Sequence, residues 1–83
     1  MRVGDRVFCV KTYRYAVDNV DVGLASVVVY MGNVISYDSW KACVAVYPNR
    51  GVAKTEIMFF ELDMVFELEE DAKDAARRVR GEK

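Results

Sequence analysis

The chain has no histidine, a single proline and only two cysteines, and each shortage removes a class of function. Without histidine, the commonest general base, nucleophile partner and metal ligand is missing. Cys9 and Cys43 stand far apart, whereas a zinc site wants about four nitrogen or sulfur ligands at short spacing. Each sits in an apolar, β-like run and reads as a free, buried, reduced thiol. Glycine-rich phosphate loops and paired-carboxylate signatures are also missing. No catalytic residue, metal ligand or cofactor is therefore expected. No apolar run approaches the ~20 residues that a membrane-spanning helix needs. Met1-Arg2-Val3-Gly4-Asp5 leads into a turn and strand without an apolar leader, which reads as a complete, stand-alone cytoplasmic protein.

What is present is a globular profile. The 83 residues are 53% hydrophobic and 30% charged, enough for one small core and one domain. The formal net charge is −1, but residues 1–54 carry a net +3 and residues 55–83 a net −4. A slightly acidic chain exerts no global pull on phosphate, so nucleic acid is not the expected partner.

Turn signals punctuate a series of β-forming runs. Gly4-Asp5 precedes a strand over Arg6–Lys11. Thr12–Gly23 reads as a long, partly ordered loop, although Tyr13, Tyr15 and Val17 alternate and Val20 and Val22 hint at a return arm around Asp18-Asn19. Leu24–Met31 reads as a strand covered on both faces, broken by Gly32-Asn33 before a short extended piece over Val34–Tyr37. A strand over Trp40–Tyr47 places Trp40, Ala42, Val44 and Val46 on one face, which makes Trp40 a structural residue. Pro48–Gly51 reads as a tight turn, and Val52–Phe60 as the next strand. A helical turn at Glu61–Asp63 and a last strand over Met64–Leu68 follow.

From Glu69 to Arg80 the period changes. Ala72, Ala75, Ala76 and Val79 recur at helical spacing, with acids at the start and arginines at the end, as the helix dipole favours. Glu69/Lys73 and Asp74/Arg78 are i,i+4 pairs worth roughly 0.2–0.5 kcal/mol each. The expected fold is thus mainly β: a small antiparallel barrel of about five strands over residues 1–68, followed by a short charged α-helix within 69–83.

The order of punctuation resembles the SH3-like barrels: Gly-Asp-Arg-Val at Gly4–Val7, a long loop, a strand entered through Gly23, a strand with an early Trp40, a tight turn, and one helical turn before a last short strand. The plasmid-borne type II dihydrofolate reductases open in a similar way. Their pore-lining Val-Gln-Ile-Tyr segment falls here on Glu56-Ile57-Met58-Phe59, so their activity is not implied. The Ala-Leu-Tyr-Asp-Tyr segment and paired Trp of proline-reading signalling domains are absent too. The resemblance implies a fold and no specific activity.

The favoured function is a non-enzymatic protein-binding module, self-associating or docking on a larger protein, in the manner of a phage or mobile-element inhibitor or adaptor. Tyr13, Tyr15, Tyr37 and Arg50 are the expected partner-binding residues, because tyrosine and arginine on loops dominate interaction hot spots. Phe8, Val28, Met58 and Phe60 are the expected oligomer face, since a barrel has one interior and these side chains oppose their apolar neighbours. The first alternative is a nucleic-acid-binding barrel using Arg2, Arg6, Arg14, Lys41, Arg50 and Lys54. The second is an enzyme whose site assembles at an oligomer axis.

Overall fold

A computed structural model describes residues 1–48 and 54–81. Five strands form one antiparallel sheet: β1 (Arg6–Val17), β2 (Val20–Tyr37), β3 (Lys41–Val46), β4 (Glu56–Glu61) and β5 (Val65–Phe66). A 3₁₀ turn, Leu62–Met64, links β4 to β5, and helix α1 spans Glu69–Arg80. The strand order is β4-β3-β2-β1-β5, so the chain meanders outward to β4 and then returns to pair Phe8 with Phe66 beside β1. The expected turn at Pro48–Gly51 and the first residues of the Val52–Phe60 strand fall largely outside the described residues.

Two expectations about β2 are corrected. Thr12–Gly23 is not a loop but the outer half of a long β1–β2 hairpin, and Gly32-Asn33 does not break the strand. The hairpin closes because Asp18 and Asn19 both take positive φ, 51° and 65°, the conformation of a two-residue turn whose twist matches the strands it joins. Asn and Asp tolerate it better than most residues. The pairing of β2 with β3 is interrupted later, at a register shift between Val34 and Ser36.

The sheet is curled, and each face of β1–β2 has its own core. On the inner face Val7, Cys9, Tyr30, Val34, Ala42, Val44, Val46 and Phe60 are buried together. On the outer face Val10 and Val27 meet Ala72, Ala75 and Ala76 of α1, with Phe8, Val29, Phe66 and Val79 at the margin. The alanines give the helix a thin face, so it lies close against the strands. Gly81 ends it with φ 79° while its N–H reaches the carbonyls of Arg77 and Arg78. Lys73 pairs with Glu69 at 3.1 Å. Asp74 pairs instead with Arg77, and Arg78 reaches only its backbone carbonyl.

The residues of the expected oligomer face lie against one or the other of these cores. Phe8 packs beside α1, while Val28 and Met58 border the inner core and Phe60 is buried in it. On β4 the two faces are reversed from that expectation: Ile57 and Phe59 are the exposed pair. A strand's faces exchange with a one-residue change of parity, and an all-apolar run such as Ile57–Phe60 does not specify which face is inner.

Candidate protein-interaction site

Beyond the sheet the β1–β2 hairpin continues as a two-stranded arm. Its pairs run Tyr13–Ser26, Arg14–Leu24, Tyr15–Gly23, Ala16–Asp21 and Val17–Val20, with register shifts after Tyr13 and after Tyr15. Such irregularities increase local twist and re-aim side chains. Valines and tyrosines on both strands supply the β-preference that keeps the ribbon extended.

At its base the arm is tied to the inner core. The Tyr13 and Tyr30 hydroxyls are hydrogen-bonded at 2.7 Å. Beside them the Lys11 ammonium donates to the Phe59 carbonyl at 3.0 Å and lies 5.5 Å from the centre of the Phe60 ring. Midway, Arg14 Nε donates to Asp21 Oδ2 at 2.5 Å, and the Gly23 N–H donates to Asp21 Oδ1 at 3.0 Å. The Arg14 bond, then the Gly23 bond, hold the Asp21 carboxyl below its ordinary range.

Beside the polar Asp18-Asn19 turn the tip is apolar and bare. Tyr15, Val17, Val20 and Val22 are each 58–62% exposed. Its one ion pair is internally satisfied, so apart from the exposed Asp18 and Asn19 of the turn the surface on offer is hydrocarbon and one phenol ring. That chemistry suits contact with a complementary apolar surface better than it suits catalysis.

Of the residues expected to bind a partner, Tyr13 and Tyr15 share one face of this arm. Tyr37 does not join them; it lies at the far end of β2, where its hydroxyl donates to the Met1 carbonyl at 2.8 Å. Arg50 lies outside the described residues. Sequence reasoning missed Val17, Val20 and Val22 as exposed residues, although their alternation around Asp18-Asn19 was the available signal. It also misjudged Trp40, which precedes β3 and is 82% exposed. The turn there is held by Asp38, whose carboxylate accepts from the Trp40 and Lys41 N–H groups at 2.7 and 3.0 Å. Two cations of the nucleic-acid alternative are engaged apart from one another: Arg14 with Asp21, and Lys41 over the Phe59 ring at 5.1 Å.

Burial pushes the Cys9 thiol up to about 12, which keeps it protonated at neutral pH. Burial, followed by the bond to Tyr13, pushes Tyr30 up to about 12. Both acids ionise more readily in the unfolded chain, near 9 and 10. Their contribution to stability is therefore complete below pH 9 and is lost as pH rises toward 12. Each group lowers stability by at most about 1.4 kcal/mol per pH unit in that window. Guanidinium midpoints measured at pH 8, 10 and 11.5 should fall steadily, and a Cys9→Ala variant should fall less steeply. A midpoint independent of pH across this range would contradict the burial of both groups.

Among the described residues no helix is long and apolar enough to cross a membrane. No family model, curated protein or solved structure matches the chain.

Proposed function

We propose that this chain is a non-enzymatic protein-binding module with an SH3-like layout, docking its β1–β2 arm on a larger cytoplasmic protein as an inhibitor or adaptor of phage or mobile-element type. The layout is supported by the meander order β4-β3-β2-β1-β5 and by a single 3₁₀ turn before the last short strand. Of the features on which the sequence resemblance rests, the helical turn before the last strand is present, whereas the long loop is a hairpin arm and Trp40 precedes its strand.

The observation that carries the binding role is the bare apolar tip formed by Tyr15, Val17, Val20 and Val22. A two-stranded ribbon is only marginally stable alone. Fully covering side chains of this size stabilises by roughly 1.5–3 kcal/mol each, so a partner's surface would rigidify the arm and gain affinity together. Nucleic acid is the weaker reading, because the tip offers no cation that is not already paired with a carboxylate.

Photo-crosslinking in the native host tests the arm directly. A benzophenone amino acid replacing Tyr15 should yield an adduct with a second, larger protein, and Val20→Asp should abolish it. The same probe replacing Glu67, at the opposite end of β1, should yield none. An adduct of twice the chain's own mass, with a dimer in light scattering, would replace docking by self-association. Equal adducts from both positions would end the arm proposal.

A further inference from the structure

A second surface lies where β3 stops and β2 goes on. Val34 N–H donates to the Asp5 carbonyl at 3.0 Å, which sets the phase of the antiparallel β1–β2 ladder. By that alternation the backbone of Gly32, Tyr30, Val28 and Ser26 faces β1, and that of Met31, Val29 and Val27 faces the other way. The phase is checked independently: Tyr47 N–H donates to the Met31 carbonyl at 2.8 Å, from the β3 side. The β3 ladder has then run out, since its last pair is Gly32–Val46. Among the described residues no strand pairs with the Val27–Val29 edge.

The edge is flanked by cations. Val27–Val29 form one wall of an open groove of about 620 Å³, and Lys73, Ala76, Arg77 and Arg80 of α1 form the other. Arg80 Nη2 donates to the Val27 carbonyl at 3.0 Å, so its guanidinium lies over the strand edge. Lys73 and Arg77 are paired with Glu69 and Asp74 on their own helix. Arg80 has no carboxylate partner among the described residues.

We infer that this groove binds an extended acidic segment of a protein, which adds as a strand along Val27–Val29 and places a carboxylate on Arg80. A peptide backbone supplies the alternating donors and acceptors that the edge requires. Phosphates would satisfy the arginine but leave the Val29 amide and carbonyl unpaired. A second copy joined edge to edge around a two-fold axis would bring its own Arg77 and Arg80 against these, at a cost from like charge. The groove is separate from the arm tip and does not depend on the arm's role.

The test uses the full chain, labelled with ¹⁵N, titrated with acetyl-(Glu-Val)₄-amide up to millimolar concentration. The Val27 and Val29 amides should shift and become protected from exchange. Arg80→Gln, which keeps an amide donor but removes the charge, should weaken binding about tenfold, the loss expected for one charge-assisted hydrogen bond. The matching (Lys-Val)₄ peptide should not bind. The inference is overturned if the acidic peptide causes no shift, or if shifts fall only on the Tyr15–Val22 arm. It is overturned equally if the basic peptide binds as well, if oligothymidylate displaces the acidic peptide without protecting Val29, or if chain mass doubles without peptide. Because the arm is read by crosslinking at Tyr15, either result can fail without the other.

Discussion

Gly32→Ala should cost about 3 kcal/mol or more, or prevent folding altogether. A Cβ built on Gly32 stands 2.3 Å from the Ala45 carbonyl oxygen, 2.8 Å from Val44 Cγ1 and 2.9 Å from the Ala45 carbonyl carbon. Two of these three contacts are backbone of the neighbouring strand, which no rotamer change can move. Accommodating a methyl group requires β3 to shift from β2, and β3 carries Ala42, Val44 and Val46 into the inner core. The double variant Gly32→Ala/Val44→Ala should therefore be no more stable than Gly32→Ala alone, since trimming Val44 removes only the side-chain clash. Guanidinium unfolding followed by circular dichroism measures both. A single variant within about 1 kcal/mol of wild type would mean that β2 and β3 approach less closely at this position.

That glycine also shows where the sequence could be read and where it misled. Glycine next to asparagine is ordinarily a turn signal, and Gly32-Asn33 reads as the end of a strand. In the fold the same residue is a mid-strand site of close backbone approach, the other established use of glycine in a sheet. The difference depends on which strand lies opposite, a tertiary fact that local composition does not contain. Asp18-Asn19 misled in the opposite sense. The alternation on both sides of it was present, but the polar and charged residues between the valines lent Thr12–Gly23 the composition of a loop. The helix was legible to the residue, because Ala72, Ala75, Ala76 and Val79 follow the 3.6 period and Gly81 sits where a left-handed cap belongs. Its consequence was harder to see. An alanine face looks too thin to cover much, yet thinness lets α1 lie close enough to build a second core on Phe8, Val10, Val27 and Val29.

The candidate site was legible only as residue types. Tyr13 and Tyr15 were identified because tyrosine is a frequent contact residue, and the arm brings them to one face. Tyr37 satisfied the same criterion but is spent on holding the N-terminal segment through the Met1 carbonyl. The valines at the tip were passed over because valine in a β-run is ordinarily core. Only the extension of β1 and β2 past their neighbours leaves them uncovered. Edge and groove on the helix side could not be found from sequence at all, since Arg80 and Val27 are brought together by the docking of α1 on the sheet.

The parity of β4 provides the most direct test of the fold. Phe60→Ala should lower stability by about 3–5 kcal/mol, whereas Phe59→Ala should change it by less than about 1 kcal/mol. The two rings are adjacent in sequence and alike in chemistry, so the contrast isolates burial. Phe60 is 2% exposed, its ring centre lies 5.9 Å from that of Tyr30 in a tilted arrangement, and removing it opens a cavity among Val44, Tyr30 and Cys9. Phe59 is 55% exposed and is met on its face by the Lys41 ammonium, a contact worth about 0.5–1 kcal/mol at an open site. Trp40→Ala belongs with Phe59 and not with Phe60: at 82% exposure the indole has little burial to lose. Midpoints in guanidinium for the three variants should fall into one strongly destabilised protein and two near wild type. If Phe59→Ala instead cost as much as Phe60→Ala, β4 would pair with β3 one residue out of the register described, and Ile57 with Phe59 would become the core pair. The same slip would turn Met58 and Phe60 outward, making them an apolar face for a second chain, so this one comparison decides both the packing of the sheet and the position of its exposed hydrocarbon.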